Sequence, residues 1–166
     1  MVPNQHLIGR IHSEIVADAS TIPGDSPSTR YELYTHANMI VIGNNYFVFD
    51  SVHGRTVDVA PFYSSLGFFK NITIVDDAVA YDCLHNHKTC ILLDRNSIHV
   101  PSMRNGMIPP FIVRESGALF HDAPNINVND PGVNDNLILF HDSNLQIQLQ
   151  LWGILSLFHS RVPTYE

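Results

Sequence analysis

Apolar positions in this chain recur at every second residue in short runs, and turn-forming residues separate the runs. In the clearest run Leu145, Ile147, Leu149 and Leu151 alternate with Gln146, Gln148 and Gln150. Successive strand side chains point to opposite faces, so this pattern predicts a strand with one dry and one wet face. Residues 39–42 and 46–49 are β-branched or aromatic runs on either side of Gly43-Asn44-Asn45, which predicts a hairpin. Further strands are expected at 56–59, 72–75, 78–81, 89–93, 98–100, 111–114, 118–121, 137–140 and 153–158. A 3.6-residue stripe is missing throughout. One short helix fits within 108–117, with Pro109-Pro110 near its start and Gly117 as its stop. The expected fold is all-β, mainly strand with one short helix, as a small barrel or sandwich.

Composition narrows this further. The 166 residues suit one domain, and 45% apolar content can fill a core. Residues 1–29 read as a lead-in, because 19–29 is rich in Pro, Gly and hydroxyl side chains; the domain is expected over 30–166. A net charge of −7 has the wrong sign for gripping a nucleic-acid backbone. The longest apolar stretch, 151–158, is far short of the ~20 residues of a membrane helix, and the first residues lack the apolar core of a secretory leader. An intracellular, cytoplasmic protein without nucleic-acid or membrane partners is expected.

The densest set of potential metal ligands is Cys83, His85, His87 and Cys90. Thiolate and imidazole suit zinc, but eight residues rarely close a four-ligand shell, and the spacing matches no common zinc signature. A hairpin tip with 86–88 in the turn and both cysteines packed as small apolar groups is the simpler reading, so no metal or other cofactor is expected. The ten histidines are scattered. Nucleotide-binding glycine motifs and the serine-hydrolase elbow are absent.

Carboxylates after apolar runs are the remaining chemistry. An aspartic protease needs an Asp at a strand end, then Ser or Thr, then a glycine small enough for a tight turn; two such Asp groups share one proton and activate a water. Asp50-Ser51-Val52 and Asp76-Asp77-Ala78 follow apolar runs but lack the glycine, so Asp50, Asp76 and Asp77 read first as ordinary strand-end carboxylates.

Taken together, 31–43, 96–120 and 149–166 resemble the retropepsin-like protease region of Copia-type retrotransposon polyproteins. Ile98-His99-Val100-Pro101 and Gly106-Met107-Ile108 match a family segment that precedes a short helix. Pro109-Pro110-Phe111-Ile112-Val113-Arg114-Glu115-Ser116-Gly117 looks like the version in a branch that writes Asp-Ser-His-Ala at its active site. The resemblance covers about 136 of the 166 residues. It implies a closed or partly open β-barrel that forms half of an acid protease, and a homodimer in which each copy gives one Asp.

The departure is at that Asp. The degenerate active-site loop is Tyr34, Thr35, His36 and Ala37, with Tyr34 where the resemblance expects the catalytic carboxylate. A phenol is too weak an acid to replace a shared-proton carboxylate pair. In a two-fold dimer the loss occurs twice. The resemblance therefore implies an inactive, self-associating domain. Two alternatives stay open. One is an active endopeptidase using Asp50 or Asp76/Asp77; the other is a non-catalytic module binding an extended peptide or polyprotein segment.

Overall fold

The computed structural model describes residues 11–18, 28–60, 67–122 and 136–164. Twelve strands and one helix lie within them. They are β1 (Ile11–Asp18), β2 (Ser28–Leu33), β3 (Val41–Ile42), β4 (Phe47–Val59), β5 (Phe69–Asp82), β6 (Lys88–His99), β7 (Gly106–Ile108), α1 (Pro110–Glu115), β8 (Leu119–Asp122), β9 (Asn136–Phe140), β10 (Leu145–Gln148), β11 (Gln150–Trp152) and β12 (Leu155–Arg161). The fold is mainly β. Among the described residues no helix is long and apolar enough to cross a membrane.

β5 and β6 form a long antiparallel hairpin, paired from Ile74↔Ile98 to Asp82↔Thr89 with one register shift between Val75 and Asp77, and β4 covers the other edge of β5. The free edge of β6 is shared. Its first half pairs with β1, and Ile98 and His99 pair in parallel with β3. β2 runs parallel to β7 on one side and antiparallel to β12 on the other. The hydrogen-bonded path β6-β3-β7-β2-β12-β5 returns to β6 through the hairpin, with single residue pairs at β3–β7 and β12–β5. β8, β9 and β10 make a separate three-stranded sheet. One apolar cluster joins both sheets and the helix, with Tyr31, Ile42, Val79, Leu92, Ile112, Ile138, Ile147 and Phe158 among its members.

The helix lies where the sequence places it. Pro110 begins it, and Gly117 follows its end at φ +83°, a conformation that favours glycine. Residues 111–114, also a strand candidate, lie in this helix.

Three other expectations change. The hairpin between 39–42 and 46–49 does not form. The carbonyls of Ile40 and Ile42 instead accept Ile98 N (2.8 Å) and Val100 N (2.9 Å), while Asn44 N donates to Met103 O (2.9 Å). A turn does form at 44–45, but β3 and β4 both run parallel to β6 in sense, and the backbone of the first run is taken by β6. Pairs of expected strands also fuse: 46–49 with 56–59, 72–75 with 78–81, and 89–93 with 98–100 become β4, β5 and β6. Asp50, Asp76 and Asp77 are consequently mid-strand residues and not strand-end carboxylates. The period-two alternation stops at Leu149, since Leu151 lies on β11 and is exposed. Finally, within the stretch 1–29, residues 11–18 form β1, which pairs with β6 from Ile11↔Asp94 to Asp18↔Lys88.

Candidate functional site

The loop carrying Tyr34 begins where β2 ends. Tyr34 N donates to Ile108 O (3.1 Å), so the parallel β2–β7 pairing extends one residue into the loop. Ile108 is followed at once by Pro109 and α1. Two stretches about seventy residues apart in sequence are thereby set side by side: Leu33-Tyr34-Thr35-His36-Ala37 and Ile108-Pro109-Pro110-Phe111. Tyr34 is 40% exposed, its ring 5.7 Å from that of His36, and Thr35 Oγ1 lies 3.2 Å from His36 Nδ1. The loop is accessible and polar, and its four residues 34–37 include no carboxylate.

The carboxylates are elsewhere, and β5 sorts them by face. Asp50 is exposed on β4, opposite Asp76. Asp76 accepts from Arg95 Nη1 (2.5 Å) and from Asn96 N (2.9 Å). Asp77 points the other way, into the core, and its cross-strand partner is Asp94. These two carboxylates are 0% and 1% exposed. The Tyr31 hydroxyl donates to Asp94 Oδ2, and its oxygen is 3.4 Å from Asp77 Oδ1. Desolvation is the chief reason that both carboxyls are held far above the ordinary range, Asp94 to about 7, and the charge of Asp94 raises Asp77 further. Burial also raises the Tyr31 phenol, with the two carboxylates adding to the effect, so it stays a donor.

A side-by-side carboxyl pair holding a proton is what acid–base hydrolysis requires, but it must also reach water and a peptide bond. Asp77 and Asp94 are sealed under Tyr31. The Asp76 carboxylate is engaged by Arg95. The sequence signal for Asp94 was parity: Cys90, Leu92 and Asp94 share one strand face, as do Val75, Asp77, Val79 and Tyr81. Reading 94–97 as a break between strands hid it.

No family model, curated protein or solved structure matches this chain.

Cys83, His85, His87 and Cys90 surround the β5–β6 turn. Cys83 N donates to Lys88 O (2.8 Å), and His87 takes φ +55° within the turn. Both cysteines are buried, whereas His85 and His87 are exposed. Cys83 Sγ lies 3.4 Å from His85 Nδ1 and donates to Gln146 O (3.4 Å), tying the hairpin to β10. Among the described residues no three His, Cys, Asp or Glu side chains converge as a metal site. Burial raises both thiols, Cys90 to about 11. At pH 8 the folded chain should react with a thiol reagent on the order of a hundredfold more slowly than the urea-unfolded chain. Equal rates would mean that the hairpin tip opens freely.

An apolar groove of about 250 Å³ lies between Phe47, Phe49, Ile91, Leu93 and Pro163. Among the described residues Arg95 is the one charged side chain in its lining, and no acid–base pair stands there.

Proposed function

We propose that this chain is the retropepsin-like domain of a Copia-type retrotransposon polyprotein, that it has lost proteolysis, and that self-association is its remaining property. The observation that carries the reading is the meeting of the two motif stretches. The segments that resemble the family at 31–43 and 96–120 are distant in sequence, yet β2 and β7 pair in parallel and deliver the Tyr34 loop beside the start of α1. A partly open barrel is supported by the six-strand path β6-β3-β7-β2-β12-β5, which closes through single residue pairs at two places. Inactivity follows from chemistry. Tyr34 offers a phenol where a dimer would need two facing carboxylates, and the buried Asp77–Asp94 pair is closed to substrate.

The test is cleavage of a peptide library between pH 4 and 7. No turnover is expected from the unmodified chain or from Tyr34→Phe. Cleavage blocked by a pepstatin-type inhibitor and surviving Tyr34→Phe would overturn inactivity, and its loss in Asp50→Asn would move the active site to β4. Sedimentation addresses the second half of the proposal: a monomer at every concentration up to the millimolar range would remove self-association.

A further inference from the structure

We infer that Tyr31, Asp77 and Asp94 form a proton-dependent latch that fastens β2 to the β5–β6 hairpin in acid and loosens it as the solution turns alkaline. The inference goes beyond the proposed descent and does not depend on it.

Three strands meet at the latch. Asp77 and Asp94 are register partners across the hairpin, and Tyr31 reaches them from β2. Asp77 Oδ2 and Asp94 Oδ1 are buried without a hydrogen bond of good geometry, and Ser97 Oγ on β6, also short of one, lies close enough to Asp77 to offset part of the cost of its charge. Among the described residues the neighbouring groups supply no cation to the pair. Tyr46, entering β4, donates its hydroxyl to Arg30 O (2.9 Å). Asp76 and Arg95, adjacent in sequence to the pair, bond to each other. On β1 the register partner of Asp94 is Ile11. Among the described residues neither Asp77 nor Asp94 has an ion-pair partner.

Two buried carboxylates with no counter-cation among the described residues resist ionising together, so the pair keeps at least one proton at neutral pH. Burial raises Asp77 and Asp94, the latter to about 7, whereas unfolded carboxyls titrate near about 3.9. Between those values the folded chain binds protons that the unfolded chain has released. Stability from the pair is therefore complete below about pH 4 and falls as pH rises through about 7, where the share due to Asp94 levels off and that due to Asp77 remains to be lost. For Asp94 alone, the folding equilibrium constant should drop about a hundredfold between pH 5 and pH 8. Loss of the last proton sets two charges against each other beneath Tyr31, three residues before the Tyr34 loop.

Urea titrations of the full chain at pH 5 and pH 8 test this, comparing the unmodified protein with Asp94→Asn and Asp77→Asn. The readout is the difference between chains, because other groups titrate alike in all three. His99 is one of them, its burial favouring the neutral imidazole. The fall from pH 5 to pH 8 should be about a hundredfold larger in the unmodified chain than in Asp94→Asn, whose amide can donate to Asp77. Equal pH dependence in all three chains would overturn the latch. If neither variant folds, carboxyl-carbon NMR of the unmodified chain decides. A buried Asp still protonated at pH 6 upholds the inference, and every Asp titrating near pH 4 refutes it.

Discussion

Gly106→Ala is expected to destabilise the domain by roughly 3 kcal/mol, the top of the usual overpacking range and a large share of the 5–15 kcal/mol that usually holds a domain together. A Cβ at this position would fall on the Tyr46 hydroxyl and stand 2.7 and 2.8 Å from two carbons of the Tyr31 ring. Neither ring can retreat. Tyr31 is 1% exposed and packs against Tyr46 at 5.1 Å and Phe158 at 5.3 Å, while the Tyr46 hydroxyl is committed to Arg30 O. Relief would require β7 to move off β2, which would break the Tyr31↔Gly106 register that places the Tyr34 loop beside α1. Gly117→Ala is the control. An added Cβ there meets nothing within 4 Å, so only its φ of +83° opposes the change, at about 1–2 kcal/mol. Urea midpoints of the two variants separate the ideas: equal losses would show that close approach at Gly106 is not what limits the packing.

Phe158→Ala should cost about 3–5 kcal/mol. Phe158 is 2% exposed on β12, with the Tyr31 ring at 5.3 Å and the Tyr81 ring at 6.0 Å. It sits opposite Tyr31 in the β12–β2 ladder, so its truncation opens a cavity where β2, β5 and β12 converge. Aromatic pair contacts worth roughly 0.5–1.5 kcal/mol each go with it. Phe68→Ala, at a side chain 62% exposed, should stay within about 0.5 kcal/mol of the parent. A loss below about 1 kcal/mol in Phe158→Ala would place the centre of the core elsewhere. The same cavity would loosen Tyr31 over the Asp77–Asp94 pair, so this variant should also lose part of its pH dependence.

The candidate catalytic loop and the buried acid pair divide the chemistry between them. Residues 34–37 are accessible and have no carboxylate, while Asp77 and Asp94 have the carboxyl groups and are sealed. A proton held in the core suits a structural role, in which it joins strands, and not the activation of water.

Strand-forming stretches, the helix after Pro109 and the glycine that ends it were legible in the chain, because alternation, proline and positive φ act over a few residues. Leu145, Ile147 and Leu149 turn inward as their parity requires. The absence of a carboxylate from 34–37 was legible for the same reason, since it is a matter of residue identity. Pairing was not. Gly43-Asn44-Asn45 marks a turn, but whether Ile40 and Ile42 bond to the next run or to Ile98 and Val100 depends on backbone groups almost sixty residues away. Asp77 and Asp94 illustrate the same limit from the side of chemistry. Each reads as a polar interruption that should end a strand, because a lone carboxylate in a core is too costly. Two of them facing each other beneath a tyrosine hydroxyl can share protons instead, and that partnership exists only when β2, β5 and β6 have closed around them.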